Sequence, residues 1–305
     1  MTGREKAYQS CHLCPRSCGV DRARGERGRC GEGSTPRAAL ATLHMWEEPC
    51  ISGEKGSGAV FFSGCPVGCI FCQNREIAAG RSGREVDRQR LSEIFLELQG
   101  KGAANLNLVT AVHFVPTILD ALDDAKRQGF SLPVVYNSSG YETVDTLKSL
   151  EGYVDIYLPD FKYMDPALAE RYSHAPDYPE TAQKAVEEMV RQQPRADFDG
   201  EGYLRAGVIV RHLILPGHTR DSMAVLDYLK GTFGDQIYVS IMNQYTPLRH
   251  VAPYPEINRK VTRREYEKVL DYAIGIGMEQ AFIQEGQTAE ESFIPMFDCE
   301  GISRE

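Results

Sequence analysis

Three cysteines stand within eight residues of the stretch "GCPVGCIFCQNRE": Cys65, Cys69 and Cys72, spaced C-x3-C-x2-C. A structural zinc site closes a tetrahedron with four protein ligands, so three thiols leave it one short. A cubane 4Fe-4S cluster held by three thiolates instead keeps one iron open for a substrate or a second cofactor. The missing fourth cysteine is therefore informative. A second group, "CHLCPRSC" followed by "GERGRC", supplies Cys11, Cys14, Cys18 and Cys30 as C-x2-C-x3-C-x11-C. This is neither the paired C-x2-C of a zinc ribbon nor a ferredoxin run, yet four thiols can close a site, as structural zinc or as an auxiliary 4Fe-4S cluster. Cys50, in "EEPCISG", is close enough in sequence to be an alternative ligand, and Cys299 lies in a polar tail, a bystander.

Composition agrees with metal-bound thiols. The opening "MTGREKAYQS" carries no apolar run after its charges, and no stretch reaches membrane-spanning length, so a cytoplasmic protein without a membrane partner is expected. Nine cysteines in that reducing compartment read as ligands or redox groups rather than disulfides. The net charge of −9 argues against a dedicated nucleic-acid binder. The charge is uneven: residues 1 to 37 hold eight Lys or Arg against four Asp or Glu, a local +4 around the first cysteine group, which leaves −13 on the rest. Cations near thiols lower their pKa and favour metal binding.

Two regions separate along the chain. Residues 1 to 50 are Cys-, Arg- and Gly-rich with little periodicity, which predicts a small segment held by metal rather than by a core. Residues 51 to 290 alternate short apolar runs with helical periods, and residues 291 to 305 read as a tail. "AVFF" is a strand; "LSEIFLEL" then puts Leu91, Ile94, Phe95 and Leu98 on one helix face. "NLNLVTAV" is followed by a helix with Pro116 in its first turn and Gly129 as its stop. "LPVVYN", "VDIYLPD", "VIVRHLILP" and "QIYVSIM" are further strands, each followed by helical sequence, the last helix opening with a Thr262 to Glu265 capping box. Six such units make parallel strands with right-handed crossovers, in an open sheet or a barrel. The chemically unusual residues all fall at or just past the carboxyl ends of strands, which favours a curved partial (β/α)6 barrel with its site on that rim.

The block "GSGAVFFSGCPVGCIFCQNRE" resembles the start of the pyruvate formate-lyase activating enzymes, within the radical S-adenosylmethionine (SAM) superfamily: a Gly-rich lead-in, a strand ending Phe-Phe-x-Gly-Cys, an aromatic residue (Phe71) before the last cysteine, and Cys-x-Asn-Arg-acidic after it. The resemblance implies an oxidoreductase on a radical SAM barrel. Cys65, Cys69 and Cys72 would ligate three irons, and the fourth iron would chelate the amino and carboxylate groups of SAM. Reductive cleavage would give methionine and a 5′-deoxyadenosyl radical that abstracts a hydrogen atom. The protein's part is to poise the cluster, orient the sulfonium and exclude water, because the difficult chemistry is the cofactor's.

The same resemblance, at falling specificity over residues 56 to 250, maps further positions. "YLPDFKYMD" places Asp160 and Lys162 near the nucleoside and the methionine carboxylate, and "VIVRHLILPG" makes Arg211 a candidate for the same anionic region. "YNSSG" brings Asn137 and Ser138 to the ribose or a cation site, and Asn74 corresponds to an Asn near the methionyl end. One departure stands out. Many relatives have a Gly-Gly-Glu-Pro turn after the second strand, whereas this chain reads "NLVTAVHF", so either the backbone at Thr110 and Ala111 binds the amine or His113 enters the site. The resemblance also implies a one-electron donor such as flavodoxin or ferredoxin and, as in glycyl-radical activation, a protein substrate. Two rivals stand beside it: radical modification of a small molecule, peptide or RNA base, with Gln244 and Tyr245 of "MNQYTP" orienting it, and a non-enzymatic carrier or sensor with two metal centres.

Overall fold

Runs of apolar residues too short for buried helices become strands, and the segments between them carry a 3.6-residue apolar stripe and become helices. The computed structural model describes residues 3–283 and 295–304. In chain order the strands are β1 (Arg37–His44), β2 (Ser57–Phe62), β3 (Arg84–Glu85), β4 (Leu106–Val109), β5 (Val134–Ser138), β6 (Ile156–Pro159), β7 (Asp197–Phe198), β8 (Leu204–Leu213), β9 (Tyr238–Met242) and β10 (Ala281–Ile283). They form one sheet in the order β10-β9-β8-β6-β5-β4-β2-β1-β3, with β7 paired to β8. From β2 to β10 every neighbouring pair on that path is parallel; β1 lies antiparallel to β2, and β3 to β1. The α/β architecture is therefore an open, mostly parallel sheet, the expected partial barrel.

The helices are α1 (Pro49–Ser52), α2 (Arg75–Ala78), α3 (Arg88–Gly100), α4 (Val115–Arg127), α5 (Val144–Ser149), α6 (Pro166–Ser173), α7 (Tyr178–Gln192), α8 (Thr219–Phe233) and α9 (Arg263–Gly275). Asp87 caps α3 through the Arg90 amide, and the face of Leu91, Ile94, Phe95 and Leu98 is buried as the spacing predicts. Each such side chain is worth about 1.5–3 kcal/mol of burial, which fixes the helix over the sheet. Pro116 opens α4, and Thr262 and Glu265 form the expected box at the start of α9.

The amino-terminal region differs from its reading. Its last third, where little periodicity is legible, forms β1, which extends the sheet beyond β2. Ala-rich and weak in β propensity, "RAALATLH" is held there by pairing on both sides. The amides of Ala41 and Cys299 bond the carbonyls of Glu300 and Ala39, both at 2.9 Å, so the tail also packs on this edge. Residues 284–294, which hold the expected boundary at 290/291, lie outside the described residues. Cys50 on α1 packs with Ile51 against Val135, Ile156, Leu158 and Ile209, in an apolar cluster that contains none of the first cysteine group. That location removes it as an alternative ligand. Because α1 inserts into this cluster, the residues just before it, Glu47 and Glu48, are carried to the inner face of the sheet. Among the described residues no helix is long and apolar enough to cross a membrane.

Candidate active site

Gly64 and Gly68, both with φ near +80°, turn the chain after β2 so that the three cysteines loop over the carboxyl ends of the strands. The Cys65 thiol accepts the amides of Val67 and Gly68, and the Cys72 thiol that of Asn74. Ser173 donates to Cys69 Sγ at 3.1 Å and shares a 2.9 Å contact with the Tyr163 hydroxyl. Burial pushes the Cys72 thiol up to about 12 and raises Cys65 as well; the neighbouring thiols add to both shifts, and Lys162 opposes them. Half-buried and crowded together, thiols such as Cys65 and Cys72 become thiolates most readily against strong positive charge, which an iron-sulfur cluster supplies. The donor set therefore fits the group.

Cys69, Cys72, Phe71 and Asn74 line one wall of a cleft of about 400 Å³, and Asn137, Asp160, Lys162 and Arg211 line the other. Phe71 is wedged between Tyr163 and Tyr245, with ring centroids 6.4 and 6.1 Å away. Asn137 is the last but one residue of β5, Asp160 follows β6, and Arg211 on β8 pairs with Asp160 in a parallel bridge. The Lys162 ammonium donates to Asp160 Oδ2 at 2.5 Å; Arg211 Nε donates to Asp160 Oδ1 at 3.1 Å, and its Nη2 to Asn137 Oδ1 at 2.6 Å. These cations outweigh burial and hold Asp160 below its ordinary pKa, while Asp160 holds Lys162 up against burial. Gly140 makes the junction possible, since a Cβ there would stand 2.2 Å from the Asp160 carbonyl.

Glu47 completes the network and was not anticipated. Its Oε2 accepts Arg211 Nη1 at 3.1 Å, and its Oε1 accepts the side-chain amides of Asn107 and Asn137, each at 3.1 Å. Glu48 beside it is buried; burial pushes its pKa up, Arg211 opposes, and Glu47 adds to the rise. The signal in the sequence was the pair of acids in "WEEP" just before a Pro-started turn, next to the sole tryptophan.

Two expected residues lie elsewhere. Successive residues of a strand point to opposite faces, so with Asn137 inward Ser138 faces the helices. There its Oγ bonds buried Glu142 at 3.2 Å, and burial pushes that carboxyl up to about 8. His113 is not at the cleft: it is buried, its Nε2 is 2.7 Å from the Ser63 carbonyl, and burial drives it down to about 3, hence neutral. Thr110, offered as the alternative, holds φ +58°, a rare state for a β-branched residue, at the end of β4. Cys11, Cys14, Cys18 and Cys30 lie outside the cleft lining, on the irregular segment before β1, whose Arg16 donates to the Pro66 and Val67 carbonyls of the cysteine loop at 2.9 and 3.2 Å.

The sequence model of the radical SAM superfamily matches residues 59–229, which is more than half of the chain and spans the cysteine loop and the Asp160, Lys162 and Arg211 network. The chain belongs to the radical SAM superfamily. The uncharacterized protein MJ0674 of Methanocaldococcus jannaschii is 30% identical over 274 residues, covering 87% of this chain and 75% of that protein. Among solved structures, SuiB of Streptococcus suis matches with a TM-score of 0.49 at 14% identity over 75% of this chain, and SuiB bound to SAM with 0.48 at 15% over 72%. The chain spans about half the length of these structures, 48% in both. The superfamily implies a 4Fe-4S cluster and SAM, and hence radical chemistry.

Proposed function

We propose that this cleft binds SAM beside a cluster on Cys65, Cys69 and Cys72, and that the hydrogen donor is a polypeptide segment, as in glycyl-radical activation. When bound, cluster and SAM supply a one-electron cleavage that yields methionine and a hydrogen-abstracting 5′-deoxyadenosyl radical. The observation that carries the reading is that one cleft brings the cysteine loop to a closed set of two cations and two acids. Lys162, lying between the thiols and Asp160, presents N–H groups to a carboxylate, while Asp160 and Glu47 offer acceptors to an ammonium or a ribose. Phe71 and its two tyrosine neighbours make the wall above the cysteines apolar, which limits water.

A polypeptide donor is favoured by the mouth. Trp46 lines the cleft with 67% of its surface exposed, Met45 before it is 43% exposed, and Met296, next to the cleft residue Pro295, is 82% exposed. Large apolar residues held out at the edge of a site suit a protein loop better than a small polar metabolite. The test is isotopic. Reduced, reconstituted protein is given SAM and cell extract whose protein is labelled with α-deuterated glycine. Deuterium in 5′-deoxyadenosine supports the reading, whereas extract-dependent 5′-deoxyadenosine that carries no deuterium contradicts it.

A further inference from the structure

The carboxyl end of α6 is built against the cysteine loop. The Tyr172 carbonyl accepts the Ile70 amide at 2.8 Å, and the next residue, Ser173, donates its hydroxyl to Cys69 Sγ at 3.1 Å. His174 then leaves the helix at φ +49°. The last carbonyls of a helix have no amide of a following turn to accept and need donors from elsewhere. Arg16 supplies them: its Nη2 donates to the Ser173 carbonyl at 3.3 Å and its Nη1 to that of His174 at 2.7 Å.

The same guanidinium reaches the Pro66 and Val67 carbonyls, inside the C-x3-C spacing, and so bridges the loop to the helix end. Four carbonyls on two segments exceed the three donors of an ammonium, but they match the planar fork of an arginine. Arg16 also lies over the Tyr141 ring at 5.3 Å, and among the described residues it pairs with no carboxylate. Its positive charge therefore acts on the loop without local neutralisation.

Ser173 and Tyr163 are both fully buried, and their hydroxyls stand 2.9 Å apart. Tyr163 is held edge-on to Phe71 and to Tyr178, with ring centroids 6.4 and 5.6 Å away. A serine hydroxyl has one proton to give, and a cysteine that ligates iron is a thiolate that can only accept. In the loaded protein the chain thus runs one way, from Tyr163 to Ser173 to Cys69. Cys65 and Cys72 accept amides of the loop itself, whereas Cys69 accepts a hydroxyl from another element.

Reduction adds one electron to a cluster, and part of that charge rests on the ligand sulfurs. A donor aimed at such a sulfur, and a cation beside the loop, stabilise the reduced form more than the oxidised one, which raises the potential. We propose that Ser173 raises the reduction potential of the cluster on Cys65, Cys69 and Cys72 through its bond to Cys69, with Tyr163 and Arg16 holding it in place. All three are positioning residues, since they act through a cluster ligand. The inference rests on the cluster of the proposed function and not on the identity of the hydrogen donor.

The test is the midpoint potential of the full chain, reconstituted anaerobically and titrated with dithionite through viologen mediators in the absence of SAM. It is read from the paramagnetic resonance signal that the Cys65→Ala/Cys69→Ala/Cys72→Ala variant lacks. Ser173→Ala is expected to move the potential negative by about 59 mV, a tenfold loss in the reduction equilibrium constant for one electron. Ser173→Thr keeps the hydroxyl and is expected to hold that constant within about twofold of wild type. Tyr163→Phe keeps the ring and is expected to shift the potential in the same direction by less. An unmoved or more positive potential in Ser173→Ala at matched iron content overturns the proposal, as does an equal loss in Ser173→Thr. If Ser173→Ala does not fold, Tyr163→Phe decides, and a potential equal to wild type overturns the proposal. Arg16→Lys keeps the charge and gives up the bridge, so a negative shift is expected; no shift removes Arg16 from the account. Wild type with no more iron, sulfide or signal than the triple variant overturns the proposed function and this inference with it, whereas a cluster present with its potential unmoved overturns this inference alone.

Discussion

Replacing Glu47 by Ala isolates an acid that ties the amino-terminal edge to the site. In the wild type it accepts three hydrogen bonds at 3.1 Å, one from Arg211 and one each from Asn107 and Asn137. The Glu47 and Arg211 side chains keep only 9% and 16% of their surface exposed, so water restores little of what is lost. Removing one member of a buried ion pair costs about 3–5 kcal/mol when the other charge stays buried. Here Arg211 keeps Asp160, which places Glu47→Ala toward the lower end, about 3 kcal/mol. Glu47→Gln retains an acceptor for the two amides and should lose roughly half of that, since neutral hydrogen bonds contribute about 1 kcal/mol each. Urea unfolding of both variants, anaerobic and with matched iron content, reads the difference as a shift in midpoint at constant slope. Losses below about 0.5 kcal/mol for Glu47→Ala, the size of a surface change, would refute the network as described.

Three further outcomes are expected. Gly140→Ala combines a φ of +71° with a contact of 2.2 Å to the Asp160 carbonyl, so equilibrium unfolding should show a loss of roughly 2–5 kcal/mol. Thr110→Gly, which relieves a β-branched residue at φ +58°, should leave stability equal or higher by up to about 1 kcal/mol, whereas Thr110→Val should not, again by urea midpoint. Glu265, held below its ordinary 4.5 by hydrogen bonds from Arg259 and by the Thr262 and Gly217 amides, stabilises α9 while ionised. Its contribution is complete above pH 4.5 and fades as pH falls toward the depressed folded value, so the stability gap between wild type and Glu265→Gln should narrow steadily below that pH.

Legibility followed range in sequence. The cysteine loop is a contiguous block, and the strands of the barrel announce themselves as apolar runs at whose ends Asn137, Asp160 and Arg211 fall. Their joint position on one rim could be argued from strand direction alone. Glu47 could not, because its partners are 60, 90 and 164 residues away and nothing periodic leads to them. β1 was hidden by its alanines, which only neighbouring strands turn into a sheet edge. Ser138 and His113 were misplaced for a more basic reason. The two-residue alternation of a strand sends adjacent positions to opposite faces, and a histidine past a strand end turns inward when a carbonyl such as that of Ser63 waits there.

The central claim is reductive cleavage of SAM at this cleft. The direct measurement is the yield of 5′-deoxyadenosine from anaerobically reconstituted protein reduced by dithionite with SAM present, for wild type, Cys72→Ala and Lys162→Ala. Product from wild type alone, or from wild type with Lys162→Ala lowered at least about tenfold, is the expected result, since that loss corresponds to one charge-assisted bond of about 1.4 kcal/mol. Wild type that carries its full iron, is reduced and forms no 5′-deoxyadenosine even with cell extract would contradict the claim, as would equal product from Cys72→Ala.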